Sequence, residues 1–591
     1  MHTNIRAGLG LLSVPVQGRF RAARLAATYA SAISASFADN SLVIRDPVTP
    51  TNNYNGPLIS NGAFNKFTYS RASLATYIGS NGLVQWAPTN LHTQSQFASG
   101  WATSAATLTP NAAIAPDGTT TMANLVPTTA NAQHSVYQAV SVPGASLPTR
   151  SFYAKANGYT RVGSTDANYG TWAAFDLTGA GSVIAASATC TASIVLVGNG
   201  VYRCIIAAFT PNPSGGFRHD ITPLDNSYTT GIPNTYAFAG DGTSGVYVWG
   251  AQLEPSSVVS SYKPTTSSAF YGPRIEYDPV TRAVRGYLAE RASTNYMLWS
   301  RDLTNAAWTK TNITAALNQV GADGGANSAS LLTATAGNGT CLQVITLTSR
   351  VLFQSAYIKR VTGTGTINMT MDNGATWTAV TPTAAWSKVR IPIQTLANPT
   401  IGFQIVTSGD AIAVDYCQSE NQFYDTSPIP TTTAAATRAS DALSLPNTKF
   451  NIQLASSVYV KNSFQGGSTL DGASRMSISI TDGTGPNTAT IYNGGSTNAF
   501  YSQNYGIIYG TATAADVFTK VAFAVAVNDA ASAQDGALKG TLSPVAAAPA
   551  ATTLQVGGWQ NGASGYLNGT IQEFMYVGQR ITNAALQALT S

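Results

Sequence analysis

One stretch of this chain is written twice. Residues 89–104 read TNLHTQSQFASGWATS and residues 294–310 read TNYMLWSRDLTNAAWTK. In each, Asn is followed five residues later by Ser (Ser95, Ser300) and then by Trp (Trp101, Trp308). The register persists beyond these stretches. Asn90 and Asn295 are 205 apart, Asp117-Gly118 recurs 206 later at Asp323-Gly324, and SFYAK (151–155) recurs 204 later as SAYIK (355–359). Farther on the offset falls to 166, where WGAQLEPSSVVSSYKPTT (249–266) answers YCQSENQFYDTSPIPTT (416–432). The first copy therefore carries about 40 additional residues between its middle and its end. A period this long is a whole domain, not a stacked solenoid layer.

The residues that fill these copies favour strands. Only 10% of the 591 residues are charged, against roughly 25% in typical soluble domains. Polarity comes from Thr, Ser, Asn and Gly, which suit strands and turns rather than exposed helices held by charge pairs. Short alternating runs such as SVYQAVSV, KVRIPI and TKVAFAVAV are punctuated by Gly, Asn, Asp and Pro. That pattern predicts an all-β protein of tandem antiparallel sandwiches, and the length suits three or four domains. A net charge of +5 is small for this length and gives no reason to propose nucleic acid. No run approaches the ~18 to 20 apolar residues of a membrane span. The apolar run at 7–16 has a thin positive flank and is followed by arginines, so a cleaved signal is not expected. Four cysteines show no metal spacing and read as free thiols.

The spacing predicts six segments. Residues 1–66 form an N-terminal segment in which Leu25, Tyr29, Ile33 and Phe37 fall every four residues, one face of a short helix. Such a helix with a basic end could pack on its own first domain, dock on another protein, or pair copies of the chain. Residues 67–88 read as a connecting hairpin around GSNG, and 269–290 as a second around Asp278-Pro279. Between and after them lie sandwich module one (89–268) and module two (291–440). A third sandwich (441–591) closes on a short terminal helix from Asn583, a plausible cap.

These phrases resemble a known family. SRASLATYIGSNGLVQWAPTNLHTQSQF, WGAQLEPSS, and YGPRIEYDPVTRAVRGYLAERASTNYMLWSRDLTNAAWTK resemble a module of tailed-bacteriophage tail fibres and head spikes, with jelly-roll domains similar to carbohydrate-binding modules. The ending YLNGTIQEFMYVGQRITNAALQAL looks like the close of a concanavalin-like, laminin-G-type lectin domain. The resemblance covers residues from about 67 to 591, and module two departs from it most, with YCQSENQ in place of WGAQLEP. It implies a virion protein made in the bacterial host cytoplasm. Residues 1–66 would attach it to other virion proteins (capsid, neck or tail), and the sandwiches would project and bind host surface polysaccharide. Self-association remains open; neither nucleic acid nor membrane is implied.

No motif for catalysis stands out. The chain has five glutamates, and Glu254 and Glu420 occupy equivalent positions in the two copies, which favours a structural role. No GxSxG, HExxH or phosphate loop occurs, so no enzyme is expected. A polysaccharide depolymerase, needing a carboxylate pair, and a spacer with no ligand are the rival readings. Sugar binding needs aromatic faces beside neutral polar groups. Tyr159, Tyr169 and Trp172 in module one, and Tyr501, Tyr505 and Trp559 in the third sandwich, fit that description. The competing reading of each is a strand aromatic packed inward. Trp101 and Trp308 are expected in the sandwich cores. No cofactor is called for; a structural calcium ion could sit at Asp-containing turns such as TDGTGPN (481–487).

Overall fold

The computed structural model describes residues 31–591 apart from 47–49, 61, 143–145, 167–169, 210–215, 449, 451–454, 466–473, 483–487, 495–496, 503–505, 513, 544–551 and 559–564. The described chain is built almost wholly of antiparallel strands in three two-layered sandwiches.

The two copies have the same strand order. In module one, one sheet runs Ala102–Ser104, Ser135–Ser141, Gly216–Leu224, Arg161–Asp166, Trp172–Asp176, Ser182–Ala186. Its counterpart in module two runs Thr309–Thr311, Gly339–Val344, Thr400–Ile405, Ile367–Thr370, Thr378–Val380. The second sheet of module one runs Ala106–Ala113, Met122–Pro127, Gly245–Glu254, Thr149–Asn157, Val201–Ala207, Thr191–Gly198. Module two repeats it as Ile313–Gln319, Ala329–Ala334, Ala411–Glu420, Arg350–Thr362, Ser387–Leu396. The additional residues of module one lie after Lys155. They supply the edge strands Ser182–Ala186 and Thr191–Gly198 and a longer loop before Gly245. Even an irregularity repeats: the register slips between Ser151 and Tyr153 in one copy, and between Ser355 and Tyr357 in the other.

The repeated phrase is a latch. Asn90 Nδ2 donates to the carbonyls of Ala251 and Lys263 (3.0 and 2.8 Å), and its Oδ1 accepts from His92 N and Leu253 N. Asn295 does the same to Cys417, Ile429, Met297 and Ser419. Ser95 and Ser300 accept from Thr265 N and Thr431 N, each at 2.9 Å. All four side chains are buried. Each Asn satisfies four backbone groups where the first and last segments of a module cross, groups that burial would otherwise leave unpaired. Trp308 is fully buried in its core, and Trp101 packs half-buried against Phe97 at 4.5 Å.

The cores differ. His92 Nδ1–H donates to Gln138 Oε1 (3.0 Å), His219 Nδ1–H to His92 Nε2 (2.8 Å), and Ser164 Oγ–H to His219 Nε2 (3.0 Å). Arg150 Nε donates in turn to Ser164 Oγ (3.0 Å). This assignment of tautomers satisfies every bond with both imidazoles neutral. Burial pushes the His92 pKa down to about 4 and His219 well below the usual histidine range. In module two the equivalent residues are Met297, two beyond Asn295, and Ile401, opposite Gln343 as His219 is opposite Gln138; both are fully buried.

The N-terminal helix does not hold over Ile33 and Phe37. Ala32–Ser36 is a strand, paired with Ser41–Arg45 on one side and with Gly569–Val577 on the other. Ile33, Ala35 and Phe37 point inward into the third sandwich, where Phe37 stacks on Tyr287 with centroids 5.7 Å apart. A spacing of four fits the strand period of two as well as the helical period. Residues 32–66 are therefore not a separate segment. Tyr54–Pro57, Ser41–Arg45 and Ala32–Ser36 extend the ten-stranded sheet of the third sandwich, and Thr68–Ser70 joins its seven-stranded sheet beside Ala442–Pro446. Leu25 and Tyr29 lie outside the described residues. Both connecting hairpins form as expected, Thr76–Ile78 with Val84–Trp86 and Ile275–Tyr277 with Val284–Ala289. The second also pairs with Gly569–Val577. The terminal helix Asn583–Thr590 is capped by Thr582, whose Oγ1 accepts from Ala585 N, rather than by Asn583.

A buried ionic joint ties the connectors together. Arg71 Nη1 lies 3.0 Å from Asp441 Oδ1, Arg274 Nη1 2.6 Å from Glu290 Oε2, and Arg438 Nη1 3.0 Å from Glu290 Oε2; Arg274 also pairs with Asp441. All five side chains are inaccessible to solvent. The guanidinium groups hold the Asp441 carboxyl down at about 2 against the cost of its burial. Removing one partner would strand a buried charge, which typically costs about 3 to 5 kcal/mol.

Candidate functional site

Of the sequence candidates, the two whose side chains are described, Tyr159 and Trp172, do not converge. Tyr159 is half-buried, its ring edge-on to Phe238 at 5.7 Å. Trp172 is half-buried on the strand Trp172–Asp176. Trp172 pairs with Thr165 at one end of its hairpin, while Tyr159 lies beyond Arg161 at the other. At about 3.3 Å per residue they are roughly 20 Å apart. Tyr501 lies on the strand Thr497–Ser502, with its backbone opposite Thr490 and Ile507; its side chain, and Tyr169, Tyr505 and Trp559, lie outside the described residues.

A cleft of about 730 Å³ opens between the two modules instead. Several separate stretches wall it. The first hairpin brings Tyr77 and Trp86, the segment after Gly245–Glu254 brings Ser256 and Val258, and module two brings Trp299 and Asn327. The hairpin is fixed in place by Val84 N donating to Ala322 O (3.0 Å) and Thr76 Oγ1 donating to Pro428 O (2.5 Å). Ile78 and Val84 pack there against Ala322 and Tyr416 of module two. Trp86 also lines a second hollow of about 480 Å³, beside Leu91 and Ile429.

Trp299 sits at a corner that the fold imposes. Its φ is +49°, and Gln94, its equivalent, has +48°. Trp299 N donates to Thr432 O (2.9 Å), and its carbonyl accepts from Trp308 Nε1 (3.3 Å). Gln94 makes the same two bonds with Thr266 and Trp101. A left-handed residue other than glycine costs on the order of 1 to 2 kcal/mol. Because both copies carry that cost, it belongs to the latch. What changes is the side chain displayed there, an amide in one copy and an indole in the other.

The cleft's one arginine is spent. Arg301 makes a two-pronged bond to Asp415 (Nε–Oδ1 2.8 Å, Nη2–Oδ2 3.0 Å), reaches Asp323 at 2.8 Å, and lies 4.2 Å over the Tyr416 ring. That pairing holds the Asp323 carboxyl below the usual range. Asp302 accepts from Thr304 N and Oγ1, shaping its own turn. Glu254 accepts from Ser260 N, and burial pushes its pKa up. Neither a lysine nor a second arginine lines the cleft among the described residues. Aromatic faces, hydroxyls and amides therefore set its chemistry. It suits a hydroxyl-rich molecule with an apolar face.

Among the described residues, no three His, Cys, Asp or Glu side chains are grouped to hold a metal ion. Of the TDGTGPN turn only Thr481 and Asp482 are described. No described helix is long and apolar enough to cross a membrane.

The sequence missed this site because no contiguous stretch builds it. Trp86 and Trp299 lie more than two hundred residues apart, and only the docking of a hairpin on the following module brings both to one cleft.

No protein-family model matches the chain, and no curated protein matches it either. Among solved structures, it is similar to the Ruminococcus gnavus IT-sialidase CBM40 bound to α2,3-sialyllactose, at 14% identity and a TM-score of 0.20. The match covers 23% of this chain and 82% of that one. The same module alone, and bound to α2,6-sialyllactose, matches equally. A TM-score of that size carries no inference about the ligand.

Proposed function

We propose that this chain is a non-enzymatic fibre or spike protein of a tailed-bacteriophage virion, and that it binds host surface glycans in the cleft between its two jelly-roll modules. The cleft carries the binding part of this reading: two indoles, one from the first hairpin and one from module two, stand among hydroxyl and amide groups. The virion part rests on the tail-fibre and head-spike phrases between residues 67 and 591. The segment before Ser31 attaches the protein to the particle. Since the strands that follow it complete the third sandwich, that sandwich serves as the base, and the two modules project from it. Glycan binding belongs to the cleft rather than to Tyr501, Tyr505 and Trp559 of this base. No catalytic step is assigned, because the cleft's carboxylates serve turns and an ion pair.

A spacer without a ligand is the second reading, and the buried joint of Arg71, Arg274 and Arg438 favours it, since such a joint suits a rigid strut. Antibodies against the protein should decorate phage particles in electron micrographs; bare particles would contradict the virion assignment. Purified protein should label host cells, and the double variant Trp86→Ala/Trp299→Gln should label them at least tenfold less. No labelling by the wild-type protein would favour the spacer; equal labelling by both proteins would move glycan binding out of the cleft.

A further inference from the structure

We infer that the glycan held in the inter-module cleft is uncharged, an oligosaccharide of neutral hexoses rather than a sialylated or uronic-acid chain. This deepens the binding reading above and rests on it.

Recognition of an acidic sugar calls for a cation free to meet the carboxylate, most often a two-pronged arginine. Among the described residues the one arginine lining the cleft, Arg301, already spends Nε and Nη2 on Asp415 and Nη1 on Asp323. Asp415 is fully buried, so turning Arg301 toward a ligand would leave a buried carboxylate without its partner. The other ionisable acids and bases lining the cleft among the described residues, tyrosine aside, are Asp302, Asp323 and Glu254, all carboxyls, and an acidic sugar would meet like charge. A neutral hexose meets none of these obstacles. Its C–H face can lie on the indole of Trp86 or Trp299, and its hydroxyls can bond to Asp302, Asn327 and Ser256. A volume of about 730 Å³ falls in the range of sites for drug-sized ligands, room for an oligosaccharide rather than one ring.

The test is a titration of the full chain with two sets of probes, followed by calorimetry. Maltohexaose, cellohexaose and mannohexaose form the uncharged set; α2,3-sialyllactose and trigalacturonate form the acidic set. At least one uncharged probe should bind, and both acidic probes should bind at least tenfold more weakly. Trp299→Gln should weaken the uncharged probe by roughly 5- to 150-fold, the range of one lost stacking contact. Glutamine is chosen because Gln94 holds the same left-handed corner in module one; the indole also packs against module two's core, so the fold is confirmed by a cooperative melt rather than by an identical melting temperature. A second variant avoids the corner altogether. Val258 is 70% exposed at the rim, so Val258→Arg adds a free cation without disturbing a core; it should bring the acidic probes into measurable binding. Acidic probes that bind the wild-type protein tightly and depend on Trp299 would overturn the uncharged class, while leaving the cleft a glycan site. Silence of both sets, or binding indifferent to Trp299→Gln, would overturn the glycan reading of the cleft as well.

Discussion

Module one and module two share a strand order, a bulge and a latch, but they differ at the core and at one corner of the surface. The latch residues Asn90 and Ser95 recur as Asn295 and Ser300 with equivalent partners, and beside them Gln252 Oε1, which accepts from Lys263 N, recurs as Gln418 Oε1, which accepts from Ile429 N. Backbone groups at a buried crossing tolerate few substitutes, because an unpaired one costs about 1 to 3 kcal/mol. The core tolerates more. A hydrogen-bonded pair of imidazoles fills the space in one copy, and a methionine with an isoleucine in the other. Volume and satisfied bonds are what the site requires, not a particular chemistry. The corner at Gln94 and Trp299 changes most: the latch fixes the same backbone in both copies, but the side chain is an amide in one and, in the other, an indole that also packs against module two's core. Of these differences, the corner is the one that changes what a ligand would meet.

The largest expected effect tests whether the latches are equivalent. Asn90→Ala and Asn295→Ala each leave two carbonyls and two N–H groups buried without their partner. Each should destabilise its own module by roughly 3 to 5 kcal/mol, read by hydrogen exchange within that module. A cost in one copy more than twice that in the other would break the comparison.

The second effect separates the cores. The His92 pKa lies lower in the folded state, at about 4, than the ordinary histidine value near 6.5. The unfolded chain therefore binds more protons between these values, and stability falls as pH drops through that window. His92 alone should cost module one on the order of 2 kcal/mol between pH 7 and pH 5, and His219 shifts in the same direction. Arg150, hydrogen-bonded through Ser164, disfavours a further positive charge there. Glu276, on the strand Ile275–Tyr277 and accepting from Ile78 N, is raised by burial to about 7; it has the opposite sign and adds stability as pH drops through the same window. Comparing the wild-type protein with His92→Met/His219→Ile, which carries module two's residues, cancels that contribution. The acid sensitivity of module one should disappear in the double variant; if it stays, the imidazole pair is not its source.

The smallest effect concerns the inserted edge strand Thr191–Gly198, where Val195 is 51% exposed. Val195→Lys should change stability by no more than about 0.5 kcal/mol and should lower any tendency of this apolar edge to aggregate. A loss above 1 kcal/mol in thermal melts would mean that the insertion is part of module one's core, and that the copies differ more than their strand orders suggest.

The sequence exposed the duplication because Asn90 and Asn295 cannot be replaced without unpairing buried backbone, so the phrase around them survived in both copies. It also exposed both hairpins through local turn residues at GSNG and Asp278-Pro279. Residues 32–37 misled for a physical reason. Their pairing partner, Gly569–Val577, lies more than five hundred residues away, and Ile33 and Phe37 stand four apart, a spacing that helix and strand share. The cleft was hidden for the same reason. Loop composition pointed to Tyr159, but its ring leans on Phe238; Trp86 and Trp299 carried no local signal, and tertiary docking alone joins them.

The most direct measurement is saturation-transfer NMR with fragments of host surface polysaccharide, run on the wild-type chain and on Trp299→Gln. Transfer to ring protons should be strong in the wild-type protein and nearly absent in the variant, with both proteins melting cooperatively above the temperature of the measurement. Equal transfer in the two would contradict the assignment of this cleft as the binding site.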